Sequence, residues 1–256
     1  MTHVIGASSH VDCWIGGVEY LLEGQPGLNL VLDIAKPGAA PPGGILSRID
    51  NFLAGEGALP SHTVAETIFP GWLYKKHGRR GVFEIYPDVE YPTIKTGRPG
   101  AWGTYAHRLV RRMDGNGKTV NPLEDMLEKM QTEIATDAPK RSCYEIGISH
   151  GEFELPLYST VGDRTRHMGG PCLSHLSFKM YNSCVHLTAI YRSHDYSQKV
   201  IGNILGLARL LDFVAKETSL KVGTLVIHST YAFLNGSKTK LRLLLSEIQS
   251  LQRRKQ

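Results

Sequence analysis

Residues 171–203, which read PCLSHLSFKMYNSCVHLTAIYRSHDYSQKVIGN, decide the fold class of this chain. Strands are predicted at residues 173–181 and 184–190, the second because apolar and polar side chains alternate there. The apolar positions of residues 201–216 recur with helical spacing, and residues 223–227 are typical of a buried strand. Strands and helices that mix without strict alternation predict an α+β fold.

Other segments predict more helix and two irregular regions. Helices are expected at residues 17–23, 45–53, 62–69, 122–134 and 238–251, and a further strand at 144–148. Residues 26–45 are rich in Gly and Pro and predict a loop or linker. Three prolines interrupt residues 81–99, which predicts an irregular and partly exposed region.

The composition favours a globular protein with one large domain spanning residues 1–256. Hydrophobic residues make up 41% of the chain and charged residues 21%, which is ordinary for such a protein. No apolar run is long enough to cross a membrane, and the first residues lack the pattern of a secretion signal. The net charge of +5 is spread out, without a dense basic patch. We therefore expect a cytoplasmic protein that binds neither membranes nor nucleic acid.

Cys172 is the strongest candidate for a reactive group. The chain has four cysteines and no Cys-x-x-Cys pair, so no metal site is expected. A thiol becomes a useful nucleophile as the thiolate, which a nearby positive charge favours. Arg192 could supply that charge and also hold an anionic substrate through its planar guanidinium. Asn203 carries a donor and an acceptor, as recognition of an amide-like ring edge requires.

Three of these elements resemble the signature of the thymidylate synthase family, which includes pyrimidine nucleotide hydroxymethylases. They are Pro171-Cys172, Arg192-Ser193-His194-Asp195 and Asn203, which match in order and in spacing. Weaker matches are the segment 103–109, the basic pair Lys140-Arg141 and Glu66. The resemblance covers a catalytic core of about residues 100–235, whereas residues 1–60 diverge from the family.

The resemblance implies a reaction at C5 of a pyrimidine nucleoside monophosphate. Cys172 would add to C6, after which C5 would attack a one-carbon unit from 5,10-methylenetetrahydrofolate, giving a methyl or a hydroxymethyl product. Asp195 would contact the folate, and Glu66 would move protons at the base carbonyl. In the family, Asn at position 203 goes with uracil, so a uridylate-type base is favoured. The implied substrate-binding residues are Arg192, Ser193, Asn203, Lys140, Arg141, Tyr105 and Tyr231.

The resemblance also implies an architecture: a large mixed β-sheet flanked by helices, and a homodimer packed through that sheet. The two active sites would be shared, with Lys140 and Arg141 reaching the phosphate bound by the other subunit. His175 and His194 match no catalytic residue of the family and are expected to be solvated or core side chains.

Two departures from the family keep alternatives open. Tyr231-Ala232-Phe233 stands where the family has a His-x-Tyr pair that holds the sugar, so the sugar can be ribose or deoxyribose. Only 23 residues follow Phe233, which favours hydroxymethyl transfer or folate-independent chemistry at C5 over reductive methylation. A further alternative is a homologue that binds a nucleotide without catalysis. Asn203 is also a candidate N-cap for the following helix.

Overall fold

The computed structural model describes residues 2–41, 43–97, 103–114, 116–148 and 171–253. Gly169 and Gly170, which precede the Pro171-Cys172 pair, lie outside these ranges. The described strands are β1 His3–Ala7, β2 Leu28–Ile34, β3 Arg112–Met113, β4 Thr119–Val120, β5 Tyr144–Gly147, β6 Leu173–Tyr181, β7 Cys184–Tyr191, β8 His194–Asp195 and β9 Lys221–Phe233.

A mixed sheet organises this part of the chain, as the family resemblance implies. Its strand order is β1-β2-β9-β7-β6-β5, and the short β8 pairs with the end of β9. The pairs β1–β2 and β7–β9 are parallel, whereas β2–β9, β6–β7 and β5–β6 are antiparallel. The tight β6–β7 hairpin turns through Asn182 and Ser183, whose φ angles are 50° and 58°. Positive φ at both turn residues suits the twist of a two-residue hairpin.

Helices connect the strands and cover one face of the sheet. They are α1 His10–Leu22, α2 Ile45–Gly55, α3 Ser61–Glu66, α4 Gly71–Arg80, a π-helical segment Gly81–Glu90, α5 Tyr91–Gly97, α6 Tyr105–Val110, α7 Pro122–Ile134, α8 Val200–Glu217 and α9 Lys238–Arg253. Among the described residues, none of these helices is long and apolar enough to span a membrane.

The two faces of the sheet differ in burial. Side chains that face the helices, such as Leu187, Ala189 and Leu225, are almost fully buried. Their neighbours on the opposite face, such as Ile190 and Val226, are only half-buried. The alternation arises because successive side chains of a strand point to opposite faces. The core therefore lies between the sheet and the helical layer.

Glycines allow α3 and α8 to pack in close contact. A Cβ atom at Gly202 would lie 2.5 Å from the Cβ of Val64 and 2.7 Å from the carbonyl oxygen of Ser61. One turn later, a Cβ at Gly206 would lie 2.8 Å from the carbonyl oxygen of Ala65. Since Cβ atoms of other residues do not fit these distances, the Gly-x-x-x-Gly spacing fixes the approach of the two helices.

The structure differs from the sequence-based expectation in three segments. Residues 28–34, predicted as part of a loop, form strand β2, which pairs with β1 and β9. Burial of three of their apolar side chains in the core stabilises this strand. Residues 81–97, predicted to be irregular, are helical and bury Val82 and Tyr86. The helix predicted at 17–23 begins at His10, where the Ser9 side chain accepts a bond from the Asp12 N–H.

Candidate active site

A cavity of about 1280 Å³ lies between the helical segments 61–97 and the ends of β6, β8 and α8. It collects six of the predicted site residues from several parts of the fold. These are Glu66, Tyr105, Cys172, Ser193, Asp195 and Asn203. The sequence alone places only the last three near one another, so their convergence with the first three is a result of the tertiary fold.

Cys172 lies at the start of β6, where a tyrosine and an arginine hold its backbone. Its N–H donates to the hydroxyl of Tyr105 at 3.0 Å, and the N–H of Leu173 donates to the same oxygen at 3.3 Å. The Cys172 carbonyl accepts from the N–H of Arg192 at 2.9 Å. Burial raises the pKa of the Cys172 thiol above its ordinary value, although the charge of Arg192 acts to lower it. The backbone at Cys172 is therefore held in place, and burial favours the protonated form of the thiol.

Arg192 borders the nucleophile without lining the cavity. Its side chain is exposed, and Nε donates to the carbonyl oxygen of Pro171 at 3.0 Å. The guanidinium thus lies against the Pro171-Cys172 segment, where its charge acts on the thiol. This position suits a group that holds an anion at the edge of the site.

Asp195 shapes the turn into α8 with one of its oxygens. Oδ1 accepts from the Ser197 N–H at 3.0 Å, the Ser197 hydroxyl at 2.7 Å and the Gln198 N–H at 3.3 Å. Among the described residues, no side-chain or backbone group donates a hydrogen bond to Oδ2. The carboxylate is therefore fixed in direction, and its second oxygen is available to accept a bond from a ligand.

Asn203 is a buried side chain within the first turns of α8. Lys199 occupies the N-cap position, so the alternative prediction of Asn203 as the cap is wrong. The Asn203 Nδ2 lies 2.9 Å from Nε2 of His194, and His194 Nδ1 lies 2.9 Å from the hydroxyl of Ser229. His194 is buried in the core, which is one of the two placements expected from the sequence. Burial lowers its pKa to about 3. The imidazole is accordingly neutral.

Glu66 ends α3 and forms an ion pair that sequence reasoning did not anticipate. Its Oε1 lies 2.7 Å from Nη1 of Arg209 on α8, and Oε2 accepts from the Trp72 N–H at 3.4 Å. Burial raises the pKa of the Glu66 carboxyl, and the charge of Arg209 opposes that rise. The carboxyl therefore takes up a proton more readily than an exposed glutamate does, which suits an acid or base in catalysis.

Besides Arg192, three predicted residues do not line the cavity. Lys140 and Arg141 precede β5, and the Arg141 carbonyl accepts from the N–H of Met180, near the end of β6 far from Cys172. At about 3.3 Å per residue, the length of β6 separates them from the nucleophile by roughly 25 Å. Tyr231 is about half exposed, at 52%, on the edge of the molecule. Within one chain, Lys140 and Arg141 are not brought to the site, whereas the ring of Tyr231 stacks on Phe233, which lines the cavity.

Other lining residues were not expected from the sequence. Trp72 and Ile94 form an apolar rim at the cavity, and Trp72 is 57% exposed. Lys199 also lines the cavity, and its position between Asp195 and Asn203 in the motif is the signal that could have identified it. No comparable signal marks Trp72 or Arg209. Among the described residues, no group of three His, Cys, Asp or Glu side chains could hold a metal ion.

Comparison with known proteins supports the resemblance over part of the chain. No family model matches it. It is 30% identical over 131 residues to a protein of Methanococcoides burtonii named "Putative thymidylate synthase", a match that covers 51% of this chain and 52% of that protein. Proteins of the same name from Methanosarcina barkeri and Methanothermobacter thermautotrophicus are 36% and 39% identical over 64 residues, or 25% of this chain and 30% and 29% of theirs. The chain thus matches about half the length of the first relative and under a third of the other two, and is similar to proteins with a thymidylate synthase name.

Proposed function

We propose that this chain is a divergent thymidylate synthase-like transferase that acts at C5 of a uridylate-type pyrimidine nucleoside monophosphate. The observation that carries the proposal is the convergence of Cys172, Glu66, Asp195 and Asn203 on one cavity. Their spacing in the sequence resembles the family, and their convergence is an independent property of the fold. The similarity to proteins with that name supports the same function.

The reaction begins with covalent addition of Cys172 to the base. The thiol gives its proton to water and its sulfur bonds to C6, while the C5–C6 π electrons move toward the O4 carbonyl, which takes a proton. Glu66, with its raised pKa, supplies that proton directly or through water. C5 is now nucleophilic; after it has bonded its new substituent it loses its original proton, and the electrons of that C–H bond restore the C5–C6 double bond as the sulfur leaves as a thiolate.

The other residues bind and orient the nucleotide. Arg192, beside the Pro171-Cys172 segment, and Ser193 hold its phosphate, because guanidinium and hydroxyl donors match phosphate oxygens. Asn203 contacts the polar edge of the base. Tyr105 lines the cavity and contacts the substrate through its ring, while its hydroxyl accepts the backbone N–H groups of Cys172 and Leu173 and holds this segment in place.

The remaining part of the cavity fits a flat cofactor. The cavity also reaches the apolar side chains of Trp72 and Ile94, and Asp195 lines it as well. Asp195 and Trp72 would hold 5,10-methylenetetrahydrofolate there. When bound, this cofactor supplies an electrophilic one-carbon unit, with a methyl or a hydroxymethyl product. The exclusion of water by the rim would protect the activated base.

We further propose that the chain forms a homodimer through the open face of its sheet. That face carries half-buried apolar and polar side chains, including Ile190 and Val226, and no helix covers it in the described part of the chain. In such a dimer, Lys140 and Arg141 would act on the phosphate in the other subunit's site. Sedimentation equilibrium tests this part, and a monomer at all accessible concentrations would contradict it.

Covalent trapping tests the function. Incubation with a 5-fluoro uridylate and methylenetetrahydrofolate should add the mass of the nucleotide, together with that of the folate once its one-carbon unit has bonded to C5, to the peptide that contains Cys172. Cys172→Ala should abolish the adduct, whereas Cys184→Ala, a half-buried cysteine on the open sheet face, should leave it intact. An adduct that survives Cys172→Ala would overturn the proposed nucleophile.

Release of tritium from 5-tritiated uridylate separates the candidate activities. Release that requires methylenetetrahydrofolate supports one-carbon transfer, and release without any donor supports folate-independent chemistry at C5. Ribo- and deoxyribonucleotides should be compared, as should cytidylates. Nucleotide binding that survives Cys172→Ala, together with no release under any condition, would identify a binding protein instead of an enzyme.

A further inference from the structure

A buried hydroxyl with no hydrogen bond lies across the strand pair from the nucleophile. Tyr191 ends β7 and pairs with Leu173, the residue that follows Cys172. Its side chain is fully buried, and within the described ranges of the chain no group forms a hydrogen bond with its hydroxyl. A buried hydroxyl without a partner lowers stability, so its presence in the core requires an explanation.

The surroundings of Tyr191 hold its ring in place and keep its hydroxyl protonated. The ring stacks on His194, with centroids 3.9 Å apart and planes 4° from parallel. The next residue, Arg192, donates its N–H to the Cys172 carbonyl at 2.9 Å, which ties the end of β7 to the nucleophile. Burial raises the pKa of Tyr191 well above its ordinary value, and the neighbouring Tyr105 and Cys172 add to that rise. The hydroxyl therefore remains a hydrogen-bond donor throughout the neutral pH range.

The sulfur of Cys172 lacks the donor that its charged form needs. In the proposed reaction it attacks C6 as a thiolate and later leaves as a thiolate, and burial disfavours that charged form. A hydrogen bond donated to the charged form offsets such a penalty. Among the described residues, the hydrogen bonds at Cys172 all involve its backbone. An unused donor and a sulfur without a donor thus lie at the paired ends of β7 and β6.

We propose that Tyr191 is a further catalytic residue, whose hydroxyl donates a hydrogen bond to the Cys172 sulfur whenever that sulfur is a thiolate. The bond is absent while the thiol is protonated, because a thiol sulfur is only a weak acceptor. It forms as negative charge develops on the sulfur, and it acts together with the charge of Arg192. This inference rests on the proposed function only in that Cys172 reacts as a thiolate.

Alkylation of Cys172 by iodoacetamide, followed by mass spectrometry of its peptide, measures thiolate formation without any nucleotide. Tyr191→Phe keeps the ring stacked on His194 and removes only the hydroxyl. A hydrogen bond to a charged group corresponds to a factor of about ten or more in an equilibrium, so the alkylation rate at neutral pH should fall about tenfold. The pH at which the rate reaches half its maximum should rise accordingly.

Urea unfolding of the same variant separates this role from a structural one. Because the removed hydroxyl has no partner in the described part of the fold, the unfolding midpoint of Tyr191→Phe should equal or exceed that of the wild type. Tyr144→Phe is the matched control, since the Tyr144 hydroxyl donates to the Lys140 carbonyl at 2.7 Å, at the far end of β6. That variant should unfold at a lower urea concentration and should alkylate Cys172 at the wild-type rate.

An unchanged or faster alkylation of Cys172 in Tyr191→Phe would overturn the inference, and a lower unfolding midpoint beside it would identify the hydroxyl as a structural group. Should that variant not fold, 3-fluorotyrosine at position 191 decides, because its more acidic hydroxyl is a stronger donor and should raise the alkylation rate. An unchanged rate would then overturn the inference. Wild-type protein that binds no uridylate, yet shows the tenfold effect, would refute the proposed function and leave the action of Tyr191 on the thiol intact.

Discussion

Substitution of Gly202 tests whether the contact between α3 and α8 builds the site. Gly202→Ala would place a Cβ atom 2.5 Å from Val64 Cβ and 2.7 Å from the carbonyl oxygen of Ser61. Carbon atoms in contact normally lie about 3.5–4.0 Å apart, so α3 must move by roughly 1 Å. The N–H of Ser61 is held by the carboxylate of Asp50 at 2.7 Å, which resists that movement.

The expected change in stability is the difference between two effects. Overpacking of a well-packed contact costs about 1–3 kcal/mol. Replacing glycine by alanine inside a helix returns up to about 1 kcal/mol through helix propensity. We therefore expect Gly202→Ala to lower the free energy of unfolding by about 1–2 kcal/mol. Because Glu66 is the last residue of α3, the shift should also weaken nucleotide binding.

Urea unfolding of matched variants provides the measurement. Gly55→Ala, near the end of α2, is the control, because a Cβ atom there would meet no other atom within 4 Å. It should remain within about 0.5 kcal/mol of the wild-type protein. If Gly202→Ala proved as stable as Gly55→Ala, the close contact of α3 with α8 would not be as described, and the argument for the placement of Glu66 would fail.

Three further predictions concern buried or charged groups. Trp14→Phe removes the indole bond to the Tyr196 carbonyl, 2.8 Å long and buried, and should lower the unfolding free energy by about 2–3 kcal/mol in urea titrations. Arg209→Met removes the charge that opposes the raised pKa of Glu66, so the carboxyl, followed by NMR, should titrate at higher pH than in the wild type; an unchanged titration would contradict the ion pair. His194 has a pKa lowered from 6.5 to about 3, so the neutral form stabilises the fold above pH 6.5 and this contribution is lost as pH falls toward 3. Across that window, wild-type stability should therefore fall more steeply than that of His194→Phe, by up to about 1.4 kcal/mol per pH unit.

Much of the central sheet could be predicted because its signals are local. The strand β6 and the helix α8 carry clear periodic patterns, and their observed bounds match the prediction to within a residue or so. Strand β2 was missed because Gly and Pro surround it on both sides, although its own residues are apolar. The helical turns at 81–97 were missed because proline was treated as a breaker. Pro87 lies inside the π-helical segment, which continues directly into α5 with Pro92, so the chain accommodates both prolines within a helix.

The candidate site likewise contains residues that the sequence predicts and residues that only the tertiary fold brings into contact. Cys172, Asp195 and Asn203 lie within one continuous pattern of the sequence, and the turn between β7 and α8 brings them to one cavity. Glu66 matched a weak pattern, and only the packing of α3 on α8 gives it a partner. That partner, Arg209, has no mark in the sequence, because its role depends on a contact between distant helices. The same holds for Ser229, which meets His194 across two strands.

The pKa of Cys172 shows most clearly why chemistry is harder to predict than position. From the sequence, Arg192 is the evident influence, and a nearby cation lowers the pKa of a thiol. In the structure that influence is present, but burial acts in the opposite direction and is larger. The degree of burial depends on Tyr105 and the walls of the cavity, which no local pattern specifies.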